Sequence, residues 1–232
     1  MSRFERVAKS EERPKPRLVL QRMKSTGPSP AEALRKPPGK SGWDVLQRRS
    51  AARPGLQPAQ VVAPKQPGAC RGLTPGEIAL ARKAFADKIP YKRVMICRGT
   101  AGNPIAWIAF RNGNPAITLG KSIYIADGYS EDYSKAGPKG VELLMHELTH
   151  VWQYGELGIA PFLLRYVREL AASGFDANAT YDYEPGKTPF GGATLEAQAE
   201  MIGDYEEAKA RGDEEGARLI ERNLHKSGLH GL

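Results

Sequence analysis

The sequence predicts an α+β domain: a small β-sheet, one long motif-bearing helix and further C-terminal helices, preceded by a disordered basic tail. Three observations carry this prediction: strand-length apolar runs between Val94 and Ile125, a helix-period stripe from Val141 to Trp152, and capped helical segments after Thr194. The 232 residues have room for one large domain or two small ones, and the charge distribution decides for one. Residues 1–72 carry 16 Lys or Arg against 5 Asp or Glu, a net of +11, together with 10 of the 18 prolines. The remainder is net −3, so the overall +8 belongs to this segment and not to the folded part. A basic, Pro-rich, aromatic-poor segment reads as a tether rather than a nucleic-acid arm. The expected organisation is thus a tail at 1–72 and one domain at 73–232. Within the tail, Val19-Leu20-Gln21-Arg22 recurs as Val45-Leu46-Gln47-Arg48, too short for a solenoid repeat but of a length suited to docking motifs.

Each element follows from local chemistry. Thr74-Pro75-Gly76-Glu77 offers a hydroxyl cap, a proline at the first helical position and a Glu three residues after the cap, so a helix starts there. Its apolar stripe, Ile78, Ala81, Phe85 and Ile89, runs to Pro90. Val94–Cys97 and Ala106–Phe110 read as buried strands bounded by Gly and Asn. Residues 116–119 and 123–125 flank Gly120-Lys121 as a hairpin, which completes a sheet of three or four strands. Pro138 opens the motif helix, Gly155 and Gly158 break it, and Pro161 resumes a third helix. Residues 173–193 read as an irregular loop. Thr194 then caps a fourth helix toward Arg211, and Asp213 starts a fifth that frays near His225.

No stretch is long and apolar enough to span a bilayer, and no compact apolar block marks a secretory signal. Synthesis in the cytoplasm, with export that uses no signal peptide, is the expected course. Cys70 and Cys97 match no zinc ribbon or redox motif, and the expectation is two free thiols, with pairing after export left open.

The chemistry resides in His146-Glu147-Leu148-Thr149-His150. Residues four apart share a helical face, so both imidazoles reach one zinc ion at ~2.0–2.1 Å, while Glu147 stands beside the metal as a base for water. The apolar residues around the motif would bury these ionisable groups without compensation unless a metal satisfied them. A catalytic zinc needs a third protein ligand and an open position. Glu196 is the leading candidate among Glu156, Asp182, Glu184, Glu196, Glu200, Asp204, His225 and His230, because Glu196 and Glu200 share the face of a semi-apolar helix. Glu200 is then placed to hold a histidine by its other nitrogen. Tyr183, with Tyr181 as its neighbour, is the candidate phenol for an oxyanion. His225 and His230 are expected to be solvated. The pattern as a whole is zincin-like: a zinc peptidase acting on a protein or peptide. A non-catalytic accessory protein with a structural zinc and a partner-binding tail is the alternative.

Residues 73–82, His146–Gln153 and Leu195–Glu200 together resemble the small bacterial proteins called Vgr-related, which are linked with type VI secretion spikes. More distantly the chain is similar to the metallopeptidase-like core domain of extracellular contractile injection systems. The resemblance covers residues 73 to about 207. It implies a gluzincin-like site with His146, His150 and Glu196 as ligands and Glu147 as base, in an effector or a processing enzyme. A spike, chaperone or immunity protein is the implied partner.

Overall fold

A computed structural model describes residues 69–232, so the recurring Val-Leu-Gln-Arg segments lie outside the described residues. The elements in chain order are β1 (Cys70–Gly72), α1 (Pro75–Phe85), β2 (Met95–Arg98), α2 (Pro104–Arg111), β3 (Ala116–Leu119) and β4 (Ser122–Ile125). Then come α3 (Gly137–Leu157), α4 (Ile159–Ala172), α5 (Leu195–Arg211) and α6 (Glu214–Leu224), with short 3₁₀ turns between some of them. The architecture is α+β with a small mixed sheet of order β1-β2-β4-β3. β2 runs parallel to β4, and the outer pairs β1-β2 and β3-β4 are antiparallel.

The sheet starts earlier than the expected domain boundary at Leu73. β1 occupies Cys70–Gly72, and its register sets Cys70 opposite Cys97, where the two form a disulfide. The expectation of two free thiols is thereby corrected: facing positions on paired strands bring the Cβ atoms within bridging reach. Glu77 fixes the same corner. Its buried carboxylate takes two hydrogen bonds from Arg71 of β1, one from the Thr74 backbone that closes the capping box, and one from the backbone of Tyr133. α1 stops at Phe85 rather than continuing to Pro90, because Ala86 takes a positive φ of 47°.

One predicted strand is a helix. Residues 104–111 form α2, capped by the Asn103 side chain on the amides of Ile105 and Ala106, with Pro104 at its first turn. Only Ala106 and Ala109 of this run are buried, a spacing of three that suits a helix and not a strand. The motif helix runs straight through Gly155 and ends at Gly158, whose φ is 80°.

The core lies between the sheet, α1, α3 and α5, with Met145, Leu148, Met201 and Ile202 fully buried. α3 and α5 approach closely because Gly203 has no side chain: a Cβ there would stand 3.1 Å from the Glu142 carbonyl and 3.5 Å from the His146 Cβ. This contact sets the spacing of the motif histidines from the acidic face of α5. No helix among the described residues is long and apolar enough to cross a membrane.

Candidate metal centre

α3 presents His146 and His150 from successive turns, and the first turn of α5 presents Glu196. The three meet at one point. His146 Nε2 and His150 Nε2 are 3.2 Å apart, and Glu196 Oε2 lies 3.4 Å and 3.3 Å from them. Ligand atoms ~2.0–2.1 Å from an ion at the centre of a tetrahedron stand ~3.3 Å apart, so the triangle has the edge length that a zinc ion requires. Glu196 Oε2 is buried and makes no hydrogen bond. A buried carboxylate oxygen left so is costly without a cation. Both observations fit a metal held by His146, His150 and Glu196.

The outer nitrogens are held from behind. The side-chain amide of Gln153 donates to the Leu195 carbonyl and to Gln198 Oε1, both at 3.0 Å. A carbonyl only accepts, so this amide orientation turns Gln153 Oε1 toward His150 Nδ1 at 2.9 Å, and the imidazole must donate there. His150 Nε2 is then left with its lone pair facing inward. Gln198 extends the chain by donating to the Phe190 carbonyl. At His146 the corresponding partner is Glu200, with Oε2 3.3 Å from Nδ1. Such outer partners fix tautomer and ring orientation.

Electrostatics agree with a demand for positive charge. In the metal-free protein burial works against charging His146, but the facing Glu196 and Glu200 carboxylates outweigh this and push the imidazole well above its ordinary value. His150 is raised in the same way, burial being outweighed by the Glu196 carboxylate. Glu196 is held well below the usual carboxylate range, the nearby imidazoles overcoming its burial. A cation is wanted here, and protons supply it when no metal does.

Glu147 is buried at the floor of a cavity of about 250 Å³ that also contains His146, His150 and Glu196. Thr118 of β3 donates its hydroxyl to Glu147 Oε2 at 2.6 Å. The sequence reading missed Thr118, and nothing in the local pattern marks it, because the contact joins an edge strand to a helix 29 residues on. Gln153 carried a faint signal, a polar residue three positions after His150 on a buried helix.

The structure does not bring Tyr183 to this cavity. Its hydroxyl donates to Asp204 Oδ2 at 2.8 Å on the far part of α5. Tyr181 occupies the place instead: it lines the cavity and stacks on His146 with ring centroids 5.9 Å apart and planes 14° apart. Burial and the charge of Glu196 push its phenol well up, so it remains a proton donor at neutral pH. Tyr181 turns to His146 and Tyr183 to Asp204, a choice that a loop sequence does not reveal. His230, expected to be solvated, packs its ring on Tyr205 with Nδ1 3.4 Å from Glu206, because the C-terminal turn folds back and its amide donates to the Ala84 carbonyl. His225 is exposed as expected.

A family model described as the eCIS core domain matches residues 108–158, which span the end of α2, the β3-β4 hairpin and α3. The type VI secretion system spike protein VgrG2b of Pseudomonas aeruginosa is 29% identical over 141 residues. Those residues make up 58% of this chain and 13% of that much longer protein. The effector domain of P. aeruginosa VgrG2b superposes with a TM-score of 0.49 at 21% identity, covering 79% of this chain and 95% of the domain.

Proposed function

We propose that this chain, similar over residues 108–158 to the eCIS core domain and 29% identical to VgrG2b over 141 residues, is a zinc-dependent peptidase that serves a type VI or related contractile secretion system, as an effector or a processing enzyme. The observation that carries the peptidase reading is the meeting of His146, His150 and Glu196 at one point, with Glu147 beside them in an open cavity. A purely structural zinc has no use for a carboxylate base or for an approach from solvent.

A zinc ion held by these residues supplies Lewis acidity toward water and toward a carbonyl oxygen. Glu147 takes the proton of the attacking water and returns it to the leaving amine. Thr118 keeps Oε2 of that carboxylate occupied and fixes its rotamer, which leaves Oε1 as the proton-accepting atom. Tyr181 takes the role first expected of Tyr183, since a neutral phenol at the cavity wall donates to the oxygen on which charge develops. Among the described residues β3 is an edge strand, and it lines the cavity, so its outer edge is suited to add an extended peptide as a further strand. The basic segment at 1–72 recruits a partner, for which a spike, chaperone or immunity protein is the leading class.

The deciding experiment is peptide hydrolysis by the full chain with Glu147→Gln. Glutamine keeps the shape and the hydrogen bond from Thr118 but takes no proton. Turnover should fall by about 10² to 10⁴ with zinc content and circular dichroism unchanged. Wild-type turnover in a zinc-loaded Glu147→Gln protein would remove Glu147 as the base, and absence of hydrolysis by the zinc-loaded wild-type chain would assign the chain to a non-catalytic, partner-binding role.

A further inference from the structure

Two helices turn apolar stripes to solvent beside the metal cluster. On α4, Ile159, Leu163 and Val167 stand four apart, hence on one face, and are 66%, 46% and 55% exposed. On α2, Ile105 and Ile108 stand three apart and are 55% and 53% exposed. Scattered exposed apolar residues are ordinary, whereas stripes of this kind mark a binding surface. Both stripes are continuous with the cavity, because Ile105 and Leu163 line it together with Ile117, Leu119 and Phe162. The acidic residues of the lining are already engaged, Glu142 by Lys139, Glu147 by Thr118 and Glu196 by the two histidines, so the apolar residues are what the cavity offers beside the metal cluster.

We infer that α2 and α4 act as two jaws that select an extended protein segment carrying bulky apolar side chains, an inference that rests on the peptidase reading above. The apolar stripes desolvate against such side chains where they meet the cavity that β3 lines. A lipid surface fits less well. Arg168 of α4 is exposed and would meet headgroups, but the cavity that joins the two stripes runs to the metal cluster, which a bilayer does not enter.

The test uses the full chain, zinc-loaded, with Glu147→Gln so that binding is read apart from turnover. Three fluorescein-labelled decapeptides of equal length serve as probes, with Leu and Phe, Ser and Thr, or Asp and Glu at the central positions. Fluorescence anisotropy should show the apolar probe bound at least ~10-fold tighter than either the polar or the acidic one. Adding Ile105→Ser and Leu163→Ser should cut that preference below about 3-fold with zinc content and circular dichroism unchanged. Should this double variant fail to fold, Ile108→Ser with Val167→Ser, one turn further from the cavity, replaces it. Equal affinity for the first two probes, or a preference that survives both double variants, overturns the inference. So does binding to phosphatidylcholine–phosphatidylglycerol vesicles, or dimerisation, that depends on these residues while peptide discrimination is absent. Selective binding without any cleavage by the wild-type chain would sink the peptidase reading and leave the jaws standing; cleavage without selectivity would do the reverse.

Discussion

The interface between α3 and α5 holds two clusters of three ligand-type side chains. His146, His150 and Glu196 form the first, and Glu142, Asp204 and Glu207 form the second further along the same two helices, each with ligand atoms within 4.8 Å of one another. They differ in what has already entered them. Lys139 Nζ sits in the second cluster, 2.8 Å from Glu142 and 2.7 Å from Glu207, while Arg211 takes the other oxygen of Glu207 and Tyr183 donates to Asp204. In the first cluster the partners stand behind the rings: Gln153 and Glu200 occupy the outer nitrogens, so that the inner atoms face one another. Proximity of ligand types is therefore not what makes a metal centre. What marks the first cluster as a candidate is that its outer hydrogen-bonding capacity is met from behind, so that the capacity left over points inward, where a cation fits.

The comparison breaks most directly at Glu196. Glu196→Ala removes the oxygen without a hydrogen-bond partner and leaves two imidazoles, so zinc binding should fall by more than the ~10- to 100-fold typical of an outer partner. Elemental analysis after dialysis reads this, and full occupancy in the variant would remove Glu196 from the ligand set. At the second cluster Lys139→Met strips the internal cation and leaves buried Glu142 and Glu207 with less compensation. The expected cost is about 3 kcal/mol of stability by urea titration, with zinc content unchanged. If Lys139 is what closes that cluster to ions, added calcium should restore part of the loss in the variant and do nothing for the wild type.

The same two regions show how far the sequence could be read. The motif histidines, Glu196, Glu200 and the caps at Thr74, Thr194 and Asp213 were legible because each depends on spacing within a single helix or turn. α2 was misread as a strand because Ala106–Phe110 is a continuous apolar run, which carries no period. The decisive signal lay just before it, in Asn103-Pro104, a cap and first-turn pair. The disulfide, Thr118 and the exchange of Tyr183 for Tyr181 depend on strand register or loop direction, which are set by tertiary packing. Lys139 carries no local signal of its role, since Glu207, which closes over it, lies 68 residues on.

Gln153 offers a smaller perturbation of the first cluster. Gln153→Leu keeps the volume and deletes the acceptor that orients His150, leaving its Nδ1 proton and the Leu195 carbonyl without their partner. Zinc affinity should drop by about 10- to 100-fold, less than for Glu196→Ala, while Gln153→Glu, which still accepts from Nδ1, should lose less. A chelator competition titration orders the three variants. An affinity in Gln153→Leu equal to that of the wild type would mean that the amide relay holds α3 to α5 without tuning the metal.

The weakest effect comes from Asp204 of the second cluster. Burial, followed by the charge of Glu200, pushes its carboxyl up to about 6 from an ordinary 3.8, although Tyr183 donates to it. The folded protein therefore binds a proton that the unfolded chain has released, so this group's contribution falls as pH rises from about 4 to about 6 and is flat above. The slope is at most ~1.4 kcal/mol per pH unit. Asp132, held down to about 2 mainly by its hydrogen bond from Ser134, acts in the opposite sense, but only below pH 4. The imidazoles raised in the metal-free protein act mainly above the window. Asp204→Asn keeps an acceptor for Tyr183 and cannot ionise, so the difference between variant and wild type isolates the carboxyl. Urea titrations in chelator at pH 4, 5, 6 and 7 should show the Asn variant gaining on the wild type up to pH 6 and holding that gain at pH 7. A difference independent of pH would mean that Asp204 is ionised throughout, with its charge met by the cations of the second cluster as those of Glu142 and Glu207 are.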